Sequence, residues 1–78
     1  MTKNEFMVRM HDAVVKEVFL RKLYYEEMIF PTAYKTVLFE IIADSDKIRT
    51  GYFSDDNPNR EVLSKEEMDF VFGRDYNE

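Results

Sequence analysis

No Gly and no Pro interrupts residues 3–30, and Thr2-Lys3-Asn4-Glu5 at the head of that run reads as a capping box. The Thr hydroxyl would accept from the amide of Glu5, and the Glu carboxylate would reach back to the amide of Thr2. A helix is expected to start at Lys3 with nothing to stop it before Pro31. Carried to residue 27 it is about 37 Å long, at roughly 1.5 Å per residue. A 78-residue globule has a radius of gyration of only about 11.5 Å. Part of the helix is therefore expected to overhang, or to pack against a second copy. Its apolar residues point the same way. Met7, Val8, Met10, Val14, Val15, Val18 and Phe19 fill about half its circumference, and Ala13, Leu20, Leu23 and Tyr24 lie on the other half. A helix apolar on that many sides serves more than one contact.

The core must do without staples. A chain this short buries roughly 60% of its unfolded surface. It has no Cys, and a single His cannot complete a four-ligand zinc site. Seven Phe and five Tyr supply large apolar area instead, so one small domain is expected over 1–73, with a frayed tail over 74–78. The lack of Cys fits a reducing cytoplasm. The N-terminus does not read as a signal peptide, and no apolar run is long enough to span a membrane.

Beyond Pro31, Thr36–Ile42 is β-branched and aromatic, which favours a strand. Tyr34, Val37, Leu38, Ile41 and Ile42 satisfy a helix template equally well. The following residues decide for strands. Asp44-Ser45-Asp46 is a turn cluster, and Lys47–Phe53 alternates, with Ile48, Thr50 and Tyr52 on one side. The expected fold is α+β: a long N-terminal helix, a β-hairpin over 36–42 and 48–53, a short third strand at Glu61–Leu63, and a helix over 65–72. A second capping box, Ser64-Lys65-Glu66-Glu67, opens that last helix, and Gly73 closes it.

No catalytic kit is legible. His11 stands in the apolar arc of the first helix, with no Ser, Cys or Lys spaced to form a dyad, and reads as a residue of the core edge or a dimer seam. Asp44-x-Asp46 lacks the ligand and the Gly of a calcium loop: Ile48 and Arg49 hold those places. Asp55-Asp56-Asn57-Pro58-Asn59 reads as a turn held by Asx hydrogen bonds. The carboxylate pairs are sequence neighbours, which do not face each other across a cleft. No cofactor and no metal are expected, and the chain reads as a non-enzyme.

What remains is charge. Residues 1–39 carry six Lys/Arg and five acids, a net of +1; residues 40–78 carry five Lys/Arg and eleven acids, a net of −6. The overall −5 argues against nucleic acid and anionic lipid as direct partners. The cations of the first helix form no stripe. Asp44, Asp46, Asp55, Asp56, Glu66, Glu67 and Asp69 are the candidate partner-binding residues, set to meet a basic protein and to imitate a phosphate backbone if they converge on one end. Met7, Met10, Val14, Val18 and Phe19 are the candidate seam of a homodimer. Short, acidic and rich in Met, Phe and Tyr, the chain is similar in style to small accessory proteins of bacteria and their phages, though no motif carries that likeness. The function expected is an acidic interaction module that modulates or inhibits a basic protein. The alternative is a structural subunit docking through its first helix, with the acids serving solubility.

Overall fold

The computed structural model describes residues 1–73 and contains three helices: α1 (Lys3–Tyr25), α2 (Pro31–Tyr52) and α3 (Lys65–Phe72). The expected tail at 74–78 lies outside the described residues. Among the described residues there is no strand, so the α+β fold with a hairpin at 36–42 and 48–53 is replaced by an all-helical one. The third strand at Glu61–Leu63 is likewise irregular chain.

Three features of the sequence carry α2 through the region read as two strands. Pro31 does not merely end the first helical run; it opens the second, in the first turn of α2, where a missing N–H costs nothing. Thr36 folds its hydroxyl back onto the Thr32 carbonyl at 3.1 Å, a local bond a β-branched residue can make inside a helix. The supposed turn Asp44-Ser45-Asp46 divides its side chains by helical direction. Ser45 is half-buried, Asp44 and Asp46 are exposed, and Asp46 pairs with Arg49 one turn on. Without Gly or Pro there, three polar residues do not break a helix.

The inward positions explain the architecture. On α1 they are Phe6, Met10, Ala13, Glu17, Leu20 and Tyr24. On α2 they are Tyr34, Leu38, Ile41, Ser45, Ile48 and Tyr52. All twelve are buried or half-buried, and both sets recur at alternating steps of four and three, the spacing of a coiled-coil seam. Two aromatic stacks fix an antiparallel register. Phe6 lies on Tyr52 with centroids 4.2 Å apart, and Tyr24 lies on Tyr34 at 4.3 Å. The same register sets Met10 level with Ile48, Ala13 with Ser45, Glu17 with Ile41 and Leu20 with Leu38. The small pair Ala13 and Ser45 stands mid-hairpin, where it leaves room for two backbones to approach.

The long first helix therefore does not overhang; a second helix of matching length accompanies it. The molecule is elongated, 43 × 24 × 15 Å with a radius of gyration of 14.0 Å. At the tip the chain turns by a Schellman motif. Glu27 has φ 57°, its amide donates to Tyr24 O at 3.1 Å, and the Met28 amide donates to Leu23 O at 2.9 Å. A Glu stands where Gly is usual, so the turn carried no Gly by which to see it.

At the opposite end, residues 53–64 and α3 close over the hairpin. Phe6, Met10, Tyr52 and Val71 form the buried cluster, with Met1, Met7, Ile48, Leu63 and Phe72 packed around it. Both caps are present. Thr2 accepts from the Glu5 amide at 3.1 Å, while the Glu5 carboxylate accepts from the Thr2 hydroxyl rather than from the Thr2 amide as expected, so the first cap is only half of a capping box. Ser64 and Glu67 exchange bonds in a full capping box, and Gly73 ends α3 at φ 73°.

Candidate interaction surface

The closed end is held together by one buried amide, one buried phenol and one lysine. Asn57 is 7% exposed. Its Nδ2 donates to Met1 O at 3.0 Å and Tyr52 O at 2.8 Å, and its Oδ1 accepts from the Asn59 amide. The Tyr52 hydroxyl donates to Asn59 O and accepts from the Glu61 amide at 3.0 Å. Lys3 Nζ reaches Glu67 at 2.8 Å and Glu61 at 3.2 Å, tying the start of α1 to α3 and to the irregular chain before it. Hydrogen bonding to Glu67, then to Glu61, raises the Lys3 pKa. The Glu67 carboxyl is pushed down to about 2, first by Lys3 and then by the Ser64 backbone amide.

Asp46 lies on α2, Asp55 and Asp56 in the irregular chain that follows it, and Glu66, Glu67 and Asp69 on α3. Asp44 lines a groove on the hairpin with Arg9, Asp12, Lys16 and Lys47. Half of the six are engaged. Asp46 pairs with Arg49, Asp55 with Arg60 at 3.8 Å, and Glu67 with Lys3. Asp56, Glu66 and Asp69 have no ion-pair partner among the described residues. Asp46 with Arg49 was legible as an i, i+3 pair. The role of Lys3 was not, because its partners lie some sixty residues away.

The candidate seam residues divide. Met10 and Val14 are buried within the single chain, and Met7 packs against the core cluster. Val18 and Phe19 are exposed. His11 sits at the α1–α3 junction. Its ring stacks on Phe70 at 4.9 Å, and its Nδ1 is 3.2 Å from Val71 O. It serves as a docking contact for α3.

Among the described residues no group of three or more His, Asp or Glu is placed to hold a metal ion, and no buried side-chain nitrogen or oxygen lacks a partner. Among the described residues no helix is long and apolar enough to cross a membrane. No protein-family model matches the chain, and neither a curated protein nor a solved structure matches it.

Proposed function

We propose that this protein is a non-enzymatic interaction module whose acidic end engages a basic protein partner and modulates or inhibits it. The reading is supported by the run of acids from the later part of α2 through the loop to α3, the segments that carry Asp46, Asp55, Asp56, Glu66, Glu67 and Asp69. Over residues 46–73, seven acids stand against Lys47, Arg49, Arg60 and Lys65, a net of −3. Within that field Asp56, Glu66 and Asp69 offer carboxylates with no ion-pair partner among the described residues, so they can take up cations of a partner without first breaking a described ion pair. A groove that ordinarily accepts phosphates is one fitting counterpart. Residence in the cytoplasm accords with the Cys-free sequence.

The alternative, a structural subunit docking through its first helix, draws on the exposed Val8, Val15, Val18 and Phe19 of α1. Salt separates the two. Pull-down from lysate at low and high ionic strength, with the wild type and with D56K/E66K/D69K, is the test. An acidic-end partner is lost both in high salt and in the triple variant. A partner retained under both conditions contradicts the acidic-end reading and favours the helix.

A further inference from the structure

The stripe of α1 that faces α3 is twice as long as α3. Met7, His11, Val14, Val18, Arg21 and Tyr25 recur at steps of four and three. The first three are covered: Met7 packs on the core, His11 contacts Phe70 and Val71, and Val14 is 8% exposed. Beyond the reach of α3 the apolar residues of the stripe are exposed, Val18 at 46% and Tyr25 at 78%. On α2 the matching stripe runs Phe39, Ile42, Asp46, Arg49, Phe53. Arg49 and Phe53 line the hollow beneath α3. Phe39 and Ile42, at 66% and 42% exposure, lie beyond it. The hairpin register sets Val18 level with Phe39–Ile42. One side of the hairpin thus has a groove whose lower half is filled by α3 and whose upper half exposes Val18, Tyr25, Phe39 and Ile42, with Arg21, paired to Glu17, among them.

We propose that the upper half is filled by a second copy of this chain, the two hairpin tips overlapping about a two-fold axis to form a short four-helix bundle. The area suits such a dimer. At roughly 150–250 Å² per aromatic ring, Tyr25 and Phe39 with Val18 and Ile42 leave about 400 Å² of apolar surface open per copy. Interfaces are about 57% apolar, so that corresponds to about 700 Å² per partner, close to the about 800 Å² of a standard interface. The charges suit it as well. Residues 15–45 carry four cations and five carboxylates, a net of −1. Two tips therefore meet with little repulsion, while the −3 of residues 46–73 is held at the far ends. The heptad steps are those by which helices pack in bundles, and a two-fold axis sets the same patch of each copy against the other. The acidic ends remain free, so this dimer and the acidic-end reading stand or fall separately.

Sedimentation velocity of the full chain at micromolar concentration tests it, with F39E, V18E and, as a control at an exposed site outside the patch, V8E. The expected result is a species of twice 9.4 kDa for the wild type and V8E. F39E and V18E, with unchanged far-UV circular dichroism, are expected to sediment as monomers, their dissociation constants raised at least about tenfold. A 9.4 kDa wild type overturns the proposal. So does a dimer that neither F39E nor V18E weakens. The wild-type measurement decides even if one variant fails to fold.

Discussion

Phe6 and Tyr52 stack nearly parallel, centroids 4.2 Å apart and planes 11° off, and so join the start of α1 to the end of α2. Tyr52 is wholly buried, and its hydroxyl bridges Asn59 O and the Glu61 amide. One residue closes the hairpin, centres the core and anchors the loop.

Tyr52→Phe keeps the stack and strands the Glu61 amide and the Asn59 carbonyl. It is expected to cost about 1–3 kcal/mol. Tyr52→Ala removes the stack as well and should cost about 3–5 kcal/mol, enough to unfold a domain this small. Urea denaturation followed at 222 nm measures both.

Asn57 fills two carbonyls with one amide group. Asn57→Asp places a carboxylate against those same carbonyls and is expected to destabilise more than Asn57→Ala, itself about 1–3 kcal/mol. Hydrogen exchange should show the Asn59 amide, which donates to Asn57 Oδ1, losing protection in both.

Neither residue announced its role in the sequence. Tyr52 fell on the alternating face of a supposed strand, and Asn57 inside an unremarkable polar loop. What was legible was what acts locally: the two caps, the start of α1, the whole of α3 and its closing Gly73. The misreading of α2 came from weighing composition above period. Over Thr36–Ile42 alone the two are in balance. Extended to Tyr52, the steps Tyr34, Leu38, Ile41, Ser45, Ile48, Tyr52 hold one helical seam straight through the Asp-Ser-Asp cluster, which no pair of strands would do. The acidic residues were legible as a group, but their local neutralisation by Lys3 and Arg60 depends on the tertiary fold.

Glu27 occupies the left-handed region at φ 57°, a conformation that favours glycine. Glu27→Gly is expected to stabilise the protein by about 0.5–1 kcal/mol, a rise in Tm of a few degrees. A calorimetric scan checks it, and a lowered Tm would count against the turn described.

The Glu67 carboxyl titrates at about 2 in the folded chain, against an ordinary 4.5. A depressed carboxyl favours folding while ionised. Its contribution is complete above about pH 5 and fades as pH falls towards 2. Raised Lys3 acts oppositely: its contribution is present below its ordinary 10.5 and is lost as pH climbs past its folded value. Glu67→Gln is therefore expected to lower stability at neutral pH and to flatten its decline between about pH 5 and 2. Urea midpoints across that range measure the slope. Because the group is still partly open to solvent, added salt should shrink the difference.

The pairing of one unbroken α2 against α1 is tested most directly by proton NMR of the intact chain. Ring-proton cross-peaks are expected between Phe6 and Tyr52 and between Tyr24 and Tyr34 in the same sample, with helical Cα shifts running without interruption over 32–51. Extended-type shifts over 36–42 and 48–53, joined by cross-strand contacts around residues 44–46, would contradict the helical hairpin.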